Sequence, residues 1–240
     1  MNMSILWLIT ARSGSTGIPN KNIRELNNIP LLAYKIKTAL TLSPAEDVWV
    51  STDSSEYADI AKKYGAKVPY IRPKKLSTNS ASSVDVVLHV MKYAKSIGKN
   101  YDFIGLLEPT SPFVYFEDIK SALVKLYDNK KADAIVAVRE TRPNTFFIQE
   151  DSEFLDQISK RMREVSSLGR QYFNREITPS GGFYISKWDV FFEKKTFYTD
   201  KTLAYEVPVE SELEIDEPID WMWAEFLIKE NIININKLWK

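Results

Sequence analysis

Short apolar, β-branched runs alternate with stretches whose apolar positions recur every three or four residues. The runs are "SILWLIT", "DVWVST", "AKVPYI", "YDFIGLL", "ADAIVAV", "GGFYIS" and "TLAYEV". Helical spacing marks 30–40, 55–64, 82–95 and 117–127 between the early ones. In 82–95 the residues Val84, Val87, Leu88 and Met91 share a face, and Ser82 or Ser83 supplies an N-cap. A closing amphipathic helix follows in "EPIDWMWAEFLIKEN", with Trp221 and Trp223 assigned to packing. Nearly continuous apolar strands separated by helices predict an α/β protein with a mostly parallel sheet covered on both faces.

This rhythm stops after Ala137. From about 139 to 179 the chain is charged and aromatic with no clean period, so it is read as an arm inserted into a single domain spanning 1–240. Phe146, Phe147, Phe154, Tyr172 and Phe173 in the arm need a cover, because soluble monomers rarely expose large apolar patches. A two-fold homodimer would provide it.

Composition narrows the partners. The 240 residues carry 32 Lys+Arg and 32 Asp+Glu, a balance that argues against a nucleic-acid binder held by a broad basic face. No window is apolar and long enough for a membrane span, and the start has no signal-peptide pattern. Zero cysteines exclude disulfides and thiolate metal sites and fit a cytoplasmic setting. Any anionic ligand must therefore meet a local cluster of charge.

Such a cluster lies in "ITARSGSTGIPNKN" (9–22), which has two basic residues and no carboxylate. It follows the first strand, at the carboxyl edge where open α/β sheets bind ligands. Gly14 and Gly17 permit unusual φ values and close backbone approach, and successive N–H groups there can cradle an anion. Arg12, Lys21 and Arg24 add charge. The loop is neither G-x-x-x-x-G-K-S/T nor G-x-G-x-x-G, and it follows a strand rather than joining helices as the GXXG of KH domains does. The reading is a polyphosphate cradle, against an ordinary βα turn.

"ARSGSTGIPNKN" resembles the A-R-x-G-S-K-G-I/L-P-x-K-N signature of the CMP-sialic acid synthetases (acylneuraminate cytidylyltransferases). The similarity continues in order through "VSTDSSEYADIAKKYGA", "RPKKLSTNSASSVDVVLHV", "LLEPTSPF", "PSGGFYI" and "LEIDEPIDW". It implies a Rossmann-like, three-layer nucleotidyltransferase fold with a dimerisation arm. The implied reaction joins CTP to a nonulosonic acid, a nine-carbon 2-keto acid sugar of the sialic or legionaminic type. It gives the CMP-sugar and pyrophosphate for surface polysaccharide biosynthesis. By resemblance, Arg12, Ser13, Gly14, Ser15 and Lys21 line the CTP site, with Lys21 near the phosphates and Asn22 supporting the loop. Arg72 and Ser82 hold base and ribose. Glu108, where many members have Gln, faces the sugar with Ser180, Phe197 and Tyr198, and Arg170 reaches an active site across the dimer. Glu214 and Asp216 stand where the family binds Mg²⁺ (or Mn²⁺) through D-x-D.

Four positions depart from the family pattern. Thr16 replaces Lys, Glu214 the first Asp, Val114 an Arg and Ser180 an Asn, which touches metal geometry and sugar identity more than reaction class. Nucleotidyl transfer develops negative charge on phosphate oxygens, so fixed positive charge at Lys21 and Arg12 is the main catalytic requirement. Carboxylates two apart on an extended segment face one side and suit Mg²⁺. His89, the only histidine, lies beside Leu88 on a helix and is read as structural, leaving the proton acceptor open among metal-bound water, phosphate and Asp216. The alternatives carried forward are a CMP-Kdo synthetase, a metal-dependent glycosyltransferase and a non-catalytic nucleotide-binding homologue.

Overall fold

The computed structural model describes residues 3–141 and 175–240. It divides into two compact units, Met1–Val138 with Pro179–Lys240, and Arg139–Thr178. Residues 142–174 lie outside the described residues, and with them Arg170 and the greater part of the predicted dimerisation arm.

The first unit is built on a six-stranded sheet. Its strands are β1 (Ile5–Thr10), β4 (Val48–Ser51), β5 (Phe103–Leu107), β6 (Ala134–Thr141), β7 (Glu176–Lys187) and β8 (Thr202–Glu206), in the order β4-β1-β5-β7-β6-β8. β1 runs parallel to β4 and β5, and β6 parallel to β8. β7 is antiparallel to β5, so the sheet is mixed though mostly parallel. The consequence is functional: the carboxyl ends of β1, β4 and β5 share one edge, and the early part of β7 enters at that edge.

Period-two alternation along β1 sorts the core into two layers. Ile5, Trp7 and Ile9 face α1 (Leu31–Leu42), α2 (Ser55–Lys63) and α4 (Phe116–Asp128). Leu6 and Leu8 face α3 (Ser83–Ser96) and α5 (Trp188–Lys194). A helix–sheet–helix sandwich results, the three-layer arrangement expected. A third cluster closes the carboxyl edge: α6 (Pro218–Lys229) packs Trp221, Ala224 and Leu227 with Ile18, Leu31, Tyr34, Phe113 and Ile215. Trp221 is buried as expected, with Arg24 over its ring at 4.4 Å. Trp223 is not: it is half exposed and stacks on Phe226.

Two local predictions need correction. "AKVPYI" (66–71) is not a strand. Lys67 makes a single bridge to β4, exchanging hydrogen bonds with Val48 and Val50 at 2.8 Å, and pairing stops there. Pro69 has no N–H to continue the ladder. The helix expected from residue 30 starts at Leu31, because 25–30 fold into a hairpin. Its strands are β2 (Glu25–Leu26) and β3 (Ile29–Pro30), with Glu25 opposite Pro30. The turn residues Asn27 and Asn28 both have positive φ, 50° and 60°, the requirement of the two-residue turn that matches strand twist.

Candidate active site

The segment after β1 does not float. Ser13 donates from its N–H and its hydroxyl to the Asp53 carboxylate at 2.9 and 3.0 Å, tying the loop to the end of β4. The Asn22 side-chain amide donates to Arg12 O at 3.0 Å. Gly17 is required for proximity: a Cβ there would run into the Asp216 carbonyl. Gly14 meets nothing, and neither glycine has positive φ. The expected backbone freedom at Gly14 is therefore not used in this structure.

Lys21 binds the two termini of the fold together. Its Nζ donates to Ile215 O at 2.8 Å and to the Asp216 carboxylate at 2.9 Å, across almost the whole sequence. Ile215 is itself fixed, fully buried with its N–H on Thr110 O at 2.7 Å. Glu214 and Asp216 flank that buried residue and both line the cleft, as the alternation of an extended segment demands. Gly181, at φ 66°, leaves room for the Glu214 carboxylate, which any side chain there would strike.

Around these groups lies a cleft of about 640 Å³, within the usual range for small-molecule sites. Eight of the sequence-derived candidates line it: Arg12, Ser15, Lys21, Asn22, Arg72, Glu108, Glu214 and Asp216. Arg72 is buried, with Nε on Ser77 Oγ at 3.1 Å and Nη2 4.0 Å from Asp53. Nη2 has no hydrogen-bond partner among the described residues. Burial lowers the Arg72 pKa against the opposing pull of Asp53. A buried, under-satisfied cation lining a cleft is poised for an acceptor on a ligand. Arg12 donates to Thr78 O at 3.0 Å.

The other candidates sit elsewhere. Ser13 anchors the loop, as above. Ser82 caps α3, accepting from Asp85 N at 3.1 Å, and the cleft is lined by its neighbours Ala81 and Ser83 instead. Ser180 is buried behind the wall, its carbonyl accepting from Ser111 Oγ. Phe197 belongs to the core, 4.5 Å from Phe191, and Tyr198 stands half exposed against Tyr184. His89 pairs with Tyr70 at 2.9 Å, away from the cleft lining.

Three participants escaped the sequence reading. Asp53 and Glu217 are ordinary loop carboxylates on sequence grounds, with no spacing signal. Lys35 did leave one: it interrupts the apolar face of α1. It is fully buried, and its pKa is pushed down to about 7 by burial, with Glu108 acting in the opposite sense. Glu108 is pushed up to about 7, by burial first and then by Glu214.

Fold and site together are of the Rossmann-like α/β class: a glycine loop carrying Arg12 and Lys21 follows β1, a buried arginine lies beside it and paired carboxylates stand opposite. The family is narrower. The cytidylyltransferase family profile matches residues 6–234, and the chain belongs to that family. It is 36% identical, over 93% of its length, to the N-acylneuraminate cytidylyltransferase of Escherichia coli O18:K1:H7. The chain spans only 52% of that protein, about half its length. It is 31% identical to the CMP-N,N'-diacetyllegionaminic acid synthase of Legionella pneumophila, covering 95% of this chain and 98% of the other. A pseudaminic acid cytidylyltransferase of Campylobacter jejuni is 29% identical at similar coverage. Among solved structures, a CMP:2-keto-3-deoxy-manno-octonic acid synthetase complexed with CTP superposes with TM-score 0.67 at 16% identity. It covers 95% of this chain and 99% of that one, a likeness of fold alone.

Proposed function

We propose that the protein activates a nonulosonic acid with CTP, releasing pyrophosphate and forming the CMP-sugar. The observation that carries this is the Lys21 bridge, which holds the glycine loop against the Glu214–Asp216 segment in one cleft. Arg12, Lys21 and Arg72 thus line one cleft with Glu214 and Asp216, which supports reading the cations as partners of the nucleotide and the carboxylates as partners of a divalent ion. Relatives acting on N-acylneuraminic, legionaminic and pseudaminic acids at 29–36% identity support a nonulosonic substrate. The octonic acid synthetase shares only the fold.

In this reading, Arg12 and Lys21 bind the triphosphate and stabilise charge that grows on its oxygens as the α-phosphorus is attacked. Loop N–H groups near Ser15 orient the phosphates. Glu108 faces the sugar. Asp216 and Glu214 would hold Mg²⁺ or Mn²⁺. Among the described residues no group of three or more His, Cys, Asp or Glu could hold a metal alone. Two carboxylates completed by substrate phosphates fit the habit of Mg²⁺. When bound, such an ion polarises the phosphate and neutralises its charge. A homodimer, with Arg170 of one arm serving the neighbouring cleft, and a cytoplasmic location beside the CTP pool complete the proposal. Both rest on the family resemblance. No helix among the described residues is long and apolar enough to cross a membrane.

Pyrophosphate release from CTP with Mg²⁺ and a panel of neuraminic, legionaminic, pseudaminic and eight-carbon acids tests the proposal. A CMP-sugar from a nine-carbon acid is the expected product. Turnover of the eight-carbon acid alone, or CTP binding with no turnover, would refute it.

A further inference from the structure

Lys35 sits on α1 among Leu31, Leu32, Ala33, Tyr34 and Ile36, and like them it is fully buried. A buried ammonium is costly unless its charge is compensated. Its Nζ donates to Gly182 O at 3.1 Å. On the antiparallel pair β5 and β7, Leu106 stands opposite Tyr184; Glu108 follows Leu106 by two residues and Gly182 precedes Tyr184 by two, so both lie towards the same edge of the sheet. The ammonium is thus anchored where the chain leaves β5 and Glu108 enters the cleft wall.

Other charged and titratable groups also act on Glu108. Glu214 and Asp216 raise its pKa, and Lys35 and Lys21 lower it. Tyr184 and Tyr198 feel its charge in turn. Of the two cations, Lys21 is already committed to Asp216 and Ile215 O, whereas Lys35 is held only by a neutral carbonyl in the contacts described.

We propose that Lys35 is a positioning residue for sugar recognition. Its buried ammonium is the counter-charge that allows position 108 to be a carboxylate. Glu108 then accepts hydrogen bonds from hydroxyl or N–H donors of the acid sugar. This inference rests on the sugar-activating function proposed above.

Lys35→Met keeps the stem and removes the charge. Glu108, a half-buried carboxylate in the cleft wall, then lacks the counter-charge proposed for it. The KM for the sugar rises about tenfold or more, while the KM for CTP stays within about twofold, because Arg12, Lys21 and Arg72 are untouched. Lys35→Met/Glu108→Gln recovers most of the sugar KM, since a neutral amide needs no compensation. An unchanged sugar KM in Lys35→Met, an equal rise for CTP, or a double variant no better than the single overturns the inference.

Should the wild type turn over no sugar at all, the proposed function fails and the pairing is judged on urea unfolding. Non-additive effects of the two substitutions support it, and additive ones overturn it. Should Lys35→Met not fold, Glu108→Gln alone decides. It strands the lysine charge and must lower stability, and unchanged or raised stability overturns the pairing.

Discussion

Removal of the Lys21 charge is the most informative single perturbation, because two separable effects can be worked from its contacts. Lys21→Met retains the stem of a side chain that is only 11% exposed. The ammonium gives up a charged hydrogen bond to a buried carbonyl and an ion pair to Asp216. The first is worth about 1.5–3 kcal/mol. The second contributes only about 0–1 kcal/mol, because Asp216 is 67% exposed. Urea unfolding should therefore show a loss of about 1.5–4 kcal/mol from Lys21→Met. Asp216→Asn should cost no more than about 1 kcal/mol. In pyrophosphate-release kinetics, losing one partner of the developing phosphate charge lowers kcat/KM by about 10²–10³. The order thus differs between assays: Lys21 dominates stability, while both residues matter for turnover. A kcat/KM reduced less than about threefold in a folded Lys21→Met protein would refute the catalytic role. A stability loss larger for Asp216→Asn than for Lys21→Met would refute the contact accounting.

The remaining predictions address the loop, the far wall and an ion pair. Gly17→Ala pushes a methyl into the Asp216 carbonyl, whereas Gly14→Ala meets open space; steady-state kinetics should show at least about a tenfold loss of kcat/KM for the first and less than about twofold for the second. Gly181→Ala forces φ 66° on a residue with a Cβ beside Glu214, and a fall in unfolding free energy of about 1–3 kcal/mol is expected. Lys194, bonded to Asp133 at 2.9 Å, holds that carboxyl below its ordinary value of 3.8. The stability this provides is present above the ordinary value and disappears as pH falls through the lower folded one. Asp133→Asn should flatten that acid limb in urea midpoints measured from neutral to strongly acid pH, and an unaltered limb would contradict the assignment. If the arm makes a shared site, Arg170→Ala and Lys21→Met proteins mixed with verified subunit exchange should regain part of the activity; no regain would disfavour it.

The legible part of the fold was what hydrophobic period and length control. "SILWLIT" and "YDFIGLL" are buried on both faces, so their apolar continuity survives directly as β1 and β5. "AKVPYI" has the same composition, but one proline and one usable bridge decide its fate. The hairpin at Asn27–Asn28 depends on two positive φ values that an apolar-period scan does not weigh, although the Asn-Asn pair was its visible signal. In the site, the motif-bearing residues Arg12, Lys21, Arg72, Glu214 and Asp216 share one cleft. Residues whose part depends on orientation were harder to place. Ser82 turns its hydroxyl to a helix cap, and Phe197 turns inward to Phe191. Asp53 carries no pattern, because its importance comes from tertiary meeting with Ser13 and Arg72. Lys35 was readable in principle as a cation on an apolar helix face.

The central claim is that one cleft, joined by the Lys21 bridge, receives the nucleotide. A crystal structure with CTP and Mg²⁺ tests it most directly. The account predicts phosphate oxygens within hydrogen-bond distance of Lys21 and Arg12, with the nucleoside beside Arg72 and the ion on Asp216 or Glu214. Well-ordered CTP bound away from the Arg12–Lys21 loop, or an ion seated on neither carboxylate, would contradict it.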